Sequence, residues 1–311
     1  MTNRIRNVVV RDHRIDPMEA EIRITVEPAE MTASTEVRGR FVGPRSIYGN
    51  TVEVAYPLRE LPKTSASPDI PGITVHAVIP EPNLWDPATP FVYDGLLELR
   101  QNGKCVDRAE IRHALSSVRL GARGLRLNDK PITIRGTVRA DTMKDNSAHL
   151  RRSHANAILA PISSQDPSLW RTAEELGFLV IGYVKTSSEA RRAAVLASGR
   201  LDRKTPYAST LGWLLTEVAL QQESIGSADI QLLSSIGGIV GVEIGSGQPP
   251  SLPTGVSFVA CREELHSSLV GFSLPVLLLS EEGLPPGTIQ RQQPELPAIL
   301  GTIYEIGRGK P

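Results

Sequence analysis

The sequence lacks an excess of charge of either sign. Its 311 residues contain 34 Lys and Arg against 34 Asp and Glu, so the formal net charge is +0 at pH 7. Proteins that bind nucleic acid or an anionic membrane usually carry a basic surface, because both partners are polyanions. The balanced charge therefore argues against both partners. Hydrophobic residues at 40% and charged residues at 22% instead predict a globular chain.

Long apolar runs are also scarce. No run approaches the roughly 18 residues that a membrane-spanning helix needs, and the valines at 8–10 form too short a run for the core of a signal peptide. We therefore expect a soluble, cytoplasmic protein.

Cysteine is nearly absent, with Cys105 and Cys261 as the two examples. They fall in different predicted domains, which favours free, buried thiols over a disulfide. The six histidines show no spacing typical of metal ligands. We accordingly predict no metal site and no cofactor.

Residues 1–120 carry the pattern of an all-β domain. Apolar and polar residues alternate over residues 21–26, which is typical of a strand with one buried face. The pair Asn102-Gly103 favours a tight hairpin turn. Seven or eight short strands at this spacing predict an immunoglobulin-like β-sandwich. Further strands are predicted at residues 51–56, 73–79, 96–100 and 104–112.

Residues 121–311 have a different pattern, in which apolar, β-branched runs alternate with helical segments. Repeated strand–helix units imply a parallel sheet, and eight of them imply a closed (β/α)₈ barrel. The residues 121–124, with a glycine at each end, predict a flexible joint before it. The predicted strands are residues 132–135, 156–160, 178–183, 210–215, 239–243, 256–260, 275–280 and 299–304.

One predicted helix has clear ends. Asp166 is a suitable N-cap residue and Gly177 a suitable C-cap residue. Between them Trp170 lies on an apolar stripe, which predicts a core position, while Glu174 and Glu175 are expected on the outer face.

Two glutamates follow apolar runs that read as buried strands. Glu217 directly follows the run at residues 210–216, and Glu281 directly follows the run at residues 274–280. If these runs are the fourth and seventh strands of a barrel, both carboxylates reach the mouth where such barrels carry out chemistry. Two carboxylates at one cavity are the minimal equipment for cleaving a glycosidic bond with retention of configuration.

Other interpretations of these acids stay open. A glutamate after a strand is often solvated or paired with arginine. Glu243, after the fifth run, competes for the acid role, and Glu282 would exchange places with Glu281 if the register shifted by one residue.

A family resemblance rests on residues 82–93, which contain Leu-Trp-x-Pro-x-x-Pro-x-x-Tyr. This stretch resembles the sandwich domain of family 2 glycoside hydrolases, the β-galactosidase, β-glucuronidase and β-mannosidase group. Similar segments continue in the family's order to about residue 184, and beyond it the resemblance rests on the surroundings of Glu217 and Glu281. The later segments are residues 124–136, 154–157, 166–167 and 174–181.

The resemblance implies roles for particular residues. Glu217 would be the general acid/base and Glu281 the nucleophile that forms a covalent glycosyl-enzyme. Thr216, Trp213 and Tyr304 would contact the substrate, a β-glycoside, with Thr216 and Tyr304 standing where the family has Asn and Trp.

Several polar residues of the family are replaced here. Val138 and Ala140 occupy the places of an Asn and a His, and Leu159 and Ile162 those of an Arg and a His. Each such loss can cost ~10²–10³ in rate.

We therefore favour a relative with the family's fold but doubtful turnover, which serves as a carbohydrate-binding or protein-interaction module. The alternative is an active retaining β-glycosidase that uses Glu281 and Glu217. The sequence predicts neither the sugar nor the oligomeric state.

Overall fold

The computed structural model describes residues 3–61, 71–121, 124–138, 143–162, 168–198, 207–222, 224–245, 252–269, 272–280 and 298–304. Contacts within the chain divide it into two compact units. The first runs to Ser117 and includes a short segment that ends at Ala208, and the second contains the rest. The domain bounds at 1–120 and 121–311 remain a prediction.

The first unit is a β-sandwich of two antiparallel, four-stranded sheets, as predicted. One sheet has the strand order β1-β2-β6-β5 and the other β4-β3-β7-β8. The strands are β1 (Ile5–Ile15), β2 (Glu19–Pro28), β3 (Thr35–Arg45), β4 (Val54–Pro57), β5 (Arg59–Glu60), β6 (Ile73–Pro80), β7 (Val92–Gln101) and β8 (Lys104–His113).

The core of this unit forms where alternate residues of both sheets meet. Ile22 and Ile24 of β2 share one buried cluster with Phe41 of β3 and Leu97 of β7. This is the inward-facing half of the alternation visible in the sequence. The predicted tight turn is also present, because Asn102 and Gly103 both have positive φ, 51° and 76°, as a type I′ hairpin turn requires.

The second unit contains a closed barrel of eight parallel strands, β12 to β19 in chain order. The predicted (β/α)₈-type barrel is thus confirmed. Its strands are β12 (Ile134–Val138), β13 (Ala157–Pro161), β14 (Leu179–Val184), β15 (Thr210–Leu215), β16 (Ile239–Ile244), β17 (Phe258–Arg262), β18 (Val276–Ser280) and β19 (Ile299–Tyr304).

Helices connect many of the barrel strands, and a small sheet precedes them. The helices are α1 (Met143–Arg152), α2 (Leu169–Leu176), α3 (Ser187–Ser198), α4 (Glu217–Gln221), α5 (Ser227–Ser235) and α6 (Glu263–His266). The small sheet is β9 (Val118–Gly121), β10 (Gly124–Leu127) and β11 (Lys130–Pro131). None of the helices in the described ranges is long and apolar enough to cross a membrane.

Several predicted strand bounds need correction. β15 and β19 lie where they were predicted, but β12 and β17 each begin two residues further along the chain than the predicted 132–135 and 256–260. Barrel strands are buried on both faces, so an apolar run does not mark where pairing begins. The predicted joint is wrong in part, because Gly121 and Gly124 are paired in the hairpin of β9 and β10.

Helix α2 confirms one predicted cap and corrects one burial. Gly177 caps it in the left-handed conformation with φ 72°, and Trp170 is fully buried. Ser168 is its N-cap residue, and the predicted cap Asp166 lies outside the described residues. Glu174, expected on the outer face, is buried, because the buried face of this short helix is wide enough to include three consecutive residues, 172 to 174.

The thiol prediction is half right. Both cysteines are free, and Cys261 is buried, but Cys105 near the hairpin end of β8 is exposed. Position in the hairpin explains the difference, since β8 is an edge strand of its sheet.

Candidate functional site

Glu217 lies at the C-terminal end of β15, the fourth barrel strand, and begins helix α4. One of its carboxylate oxygens accepts a hydrogen bond from the Gly245 amide, 2.6 Å away, and the other accepts from Gln221 Nε2 at 3.1 Å. Gly245 follows β16, so this carboxylate connects the ends of the fourth and fifth strands. The side chain is half-buried.

Thr216, the residue before Glu217, is the N-cap of α4. Its hydroxyl oxygen accepts a hydrogen bond from the Ala219 amide at 3.2 Å. A threonine used in this way satisfies one of the free amides of the first helical turn. The position that the family resemblance assigns to a sugar-binding amide is thus engaged within the protein.

Glu281 directly follows Ser280, the last residue of β18, and β18 is the seventh barrel strand. Glu281, its neighbour Glu282, and Ala140 lie outside the described residues. Tyr304 ends β19 in register with Ser280 and is buried. Glu217, Tyr304 and the end of β18 therefore occupy the same end of the barrel, the end where strands terminate.

Trp213 is fully buried in the wall of the barrel unit. Its indole Nε1–H donates to the backbone oxygens of Leu233 and Gly237, each 3.1 Å away, and its ring packs 6.1 Å from that of Trp170. Leu233 belongs to α5 and Trp170 to α2, so Trp213 faces the outer helices. Its predicted part in substrate binding remains a prediction, and these contacts give it a packing role.

The orientation of Trp213 fixes which residues face the inside of the barrel. Side chains alternate along a strand, so Leu214 faces inward. Tyr183 of β14 and Gly241 of β16 are the register neighbours of Leu214, and they share its face. Glu243, two residues after Gly241, also faces inward.

The inward-facing pair of Tyr183 and Glu243 is a polar site that the sequence did not predict as a unit. The Tyr183 hydroxyl donates a hydrogen bond to Glu243 Oε2. Burial and the neighbouring carboxylate raise the pKa of Tyr183 well above its usual range, so the phenol keeps its proton and acts as the donor. Both side chains are half-buried, and the bond spans from the third to the fifth strand.

Glu243 was predicted as a competitor for the acid role, whereas Tyr183 was missed. Side chains alternate between the two faces of a strand, and this alternation along β14 and β16 is the signal that assigns Tyr183 and Glu243 each to one face of its own strand. The sequence does not show that Tyr183 and Glu243 face the same side of the sheet. That follows only from the register of β15, which lies between β14 and β16.

The apolar residues that replace the family's polar ones are divided between the two faces. Leu159 is a register neighbour of Val138 and Ile181 and is buried. Ile162 is fully buried, and its Cδ1 lies where a side chain on Gly182 would project, next to Trp213. Ile162 thus packs toward the outer wall and does not close the mouth. Within the described ranges, no three His, Cys, Asp or Glu side chains are grouped to hold a metal ion.

Comparison with known proteins supports the predicted relationship. Residues 3–115 match the family model described as glycosyl hydrolases family 2. No curated protein matches the sequence. The match covers the sandwich unit, and it confirms the resemblance inferred from residues 82–93.

Solved structures extend the likeness in fold to the barrel. A β-glucuronidase from Bacteroides uniformis has a TM-score of 0.64 at 14% identity, covering 97% of this chain and 46% of that one. A putative β-galactosidase from Bacteroides fragilis has 0.62 at 14% identity, covering 97% and 56%. A β-glycosidase from Bacteroides vulgatus has 0.61 at 14% identity, covering 89% and 38%. This chain therefore shares their fold and spans roughly half of their length.

Proposed function

We propose that this chain is a carbohydrate-binding protein on the fold of family 2 glycoside hydrolases, with hydrolysis that is weak or lost. The observation that carries the proposal is the engagement of Thr216, whose hydroxyl caps α4 by accepting from the Ala219 amide. The cap uses the Thr216 hydroxyl oxygen as an acceptor, and threonine has no side-chain amide to hold a sugar hydroxyl in place, although positioning of that kind supplies much of the catalytic rate.

The environment of Glu217 supports the same proposal. Both of its carboxylate oxygens accept hydrogen bonds, one from the Gly245 amide and one from Gln221. A general acid must instead present a proton to the leaving oxygen of the glycoside. In the arrangement described, both oxygens of Glu217 are engaged within the protein, and the carboxylate stabilises the junction between β15 and β16.

The second candidate function is an active retaining β-glycosidase, with Glu281 as nucleophile and Glu217 as acid/base. It is favoured by the order of the chain, in which these glutamates directly follow the seventh and fourth barrel strands, because enzymes of this fold work at the end where the strands terminate. Its mechanism requires the two carboxyl groups to lie ~5–5.5 Å apart.

A panel of methyl and aryl β-glycosides separates the two. Calorimetry measures binding, and release of the aryl group measures hydrolysis, in wild type and in Glu281→Gln and Glu217→Gln. We expect binding of at least one sugar with little turnover. Substantial turnover that both substitutions abolish, while the surface control Glu175→Gln on α2 leaves it intact, would establish the glycosidase. Folded protein that binds no sugar would instead favour a protein-interaction module.

Thr216→Asn sharpens the test. Asparagine is also a good N-cap residue, so this change should leave stability within about 0.5 kcal/mol. It restores the amide that the family resemblance places there. A gain in turnover would indicate that the remaining machinery works, and an unchanged rate would indicate that the loss extends beyond this position.

A further inference from the structure

The pair of Tyr183 and Glu243 carries an inference about the kind of sugar that the barrel can accept. Both face the interior at the end where the strands terminate, and the phenol donates to Glu243 Oε2. In the part of the chain that the structure describes, this is the hydrogen bond that the Glu243 side chain makes, and its Oε1 accepts none. A carboxylate has about four acceptor positions, so within the described residues most of the acceptor capacity of the Glu243 side chain is unused.

No described cation forms an ion pair with Glu243. Lys185 lies at the same end of the barrel and is exposed, and its ammonium lies 5.5 Å from the centre of the Tyr183 ring. Among the described residues, no cation therefore neutralises this carboxylate by direct contact.

Below this pair the barrel is filled by apolar groups. The Phe258 ring lies over the α-carbon of Gly241, so closely that a β-carbon there would overlap three ring atoms. Leu214, between Tyr183 and Gly241 in register, is buried in the same layer. Among the described residues, the inward-facing layer below Tyr183 and Glu243 is therefore apolar, and the Glu243 carboxylate is a fixed acceptor above it.

We propose that Tyr183 and Glu243 form a subsite that selects a neutral, polyhydroxylated sugar ring and rejects a uronic acid. The inference rests on the proposed carbohydrate-binding function and adds the substrate class. Two neighbouring sugar hydroxyls donate to the free positions of the Glu243 carboxylate, while Tyr183 holds that carboxylate in one orientation. A uronate carboxyl brings a second negative charge and no donor to the same place, which is a repulsive element of specificity.

The experiment compares the dissociation constants of methyl β-galactoside, β-glucoside, β-mannoside and β-glucuronide by ligand-observed NMR. We expect the best neutral glycoside to bind at least about tenfold more tightly than the glucuronide, since a hydrogen bond to a charged group contributes about that factor. The preference should shrink at 1 M salt because the repulsion is screened.

Substitutions assign the preference to the pair. Glu243→Gln keeps the shape and removes the charge, so the ratio of neutral to glucuronide affinity should fall to within about threefold. Tyr183→Phe releases the carboxylate and should weaken neutral binding by about threefold to tenfold. Tyr56→Phe in the sandwich and Glu175→Gln on α2 are the matched controls and should change neither value.

The outcomes separate this inference from the proposed function. Wild-type protein that binds glucuronide as tightly as every neutral glycoside overturns the inference and leaves carbohydrate binding standing. A ratio that Glu243→Gln leaves unchanged, in protein with native circular dichroism, also overturns it. If no sugar in the panel binds, the proposed function itself fails and the inference fails with it.

Discussion

The sandwich and the barrel bury their strands in different ways. Strand β2 of the sandwich alternates, with Ile22 and Ile24 fully buried and Glu21 and Arg23 part-exposed between them. All six residues of β15 in the barrel are buried. A sandwich strand has one face on the core and one toward solvent, whereas a barrel strand lies between the interior and the outer helices.

This difference affects how a charge is to be interpreted in each unit. In the sandwich, Arg45 pairs with Glu53 and Asp94, and Arg112 pairs with Asp94. These are pairs at or near the surface and contribute little individually. Glu243 in the barrel has a phenol as its partner and no cation within the described ranges. An acid that faces the interior of a barrel without a described cation is therefore a better candidate for a functional group than the paired acids of the sandwich.

The largest expected effects come from removing one large aromatic side chain from each unit. Trp213→Ala in the barrel and Phe41→Ala in the sandwich each delete a fully buried ring, and each should lower the free energy of unfolding of its own unit by about 3–5 kcal/mol. Urea titrations followed by circular dichroism measure the loss. If Trp213→Ala cost less than about 1 kcal/mol and instead abolished sugar binding, the ligand-contact role predicted for Trp213 would be supported and its packing role contradicted.

A smaller effect is expected from adding one methyl group inside the barrel. Gly241→Ala places a β-carbon into the Phe258 ring, and overpacking of this kind costs about 1–3 kcal/mol. The double variant with Phe258→Leu should recover part of the loss, because the smaller side chain vacates that space. Additive losses in the double variant, measured by the same titrations, would mean that the two residues do not share the space.

In the sandwich, substitution of Gly103 by alanine should also lower the free energy of unfolding, but for a different reason. Gly103 has φ 76°, and no atom lies within 4 Å of the position that a β-carbon would occupy. Gly103→Ala therefore meets open space, and only the left-handed backbone opposes it. The expected loss of unfolding free energy in urea titrations is about 1–2 kcal/mol. Gly103→Asn should cost less, since asparagine tolerates this conformation. Equal losses for the two variants would argue that the turn is not held in that conformation.

The smallest effect concerns the rates at which the thiols react. Burial raises the pKa of Cys261 in the barrel to about 11, so at pH 8 only about one thiol in a thousand is ionised there. Cys105 in the sandwich is exposed.

A thiol reagent at pH 8 should therefore label one cysteine rapidly in native protein and two in denaturant, and Cys105→Ser should abolish the rapid phase. The rate at Cys261 should rise with pH up to about 11, because the thiolate is the reacting form. Rapid labelling in native Cys105→Ser would contradict the burial of Cys261.

The fold could be predicted in outline because each element leaves a local pattern. The alternation at residues 21–26, the pair Asn102-Gly103 and the eight apolar runs after residue 124 each specify their own conformation. Strand ends in the barrel were less predictable, as β12 and β17 illustrate, because burial on both faces removes the contrast between apolar and polar positions.

For the candidate site, only the positions of residues along single strands could be predicted, and not the contacts between strands. The sequence alone determined that glutamates follow the fourth and seventh barrel strands, since this needs only the order of the elements. It could not determine that Glu217 accepts from the Gly245 amide or that Tyr183 reaches Glu243. Each of those contacts joins the ends of two different barrel strands. They were decided by the tertiary structure, because the register between parallel strands and the closure of the barrel bring together groups that are up to 60 residues apart in the chain.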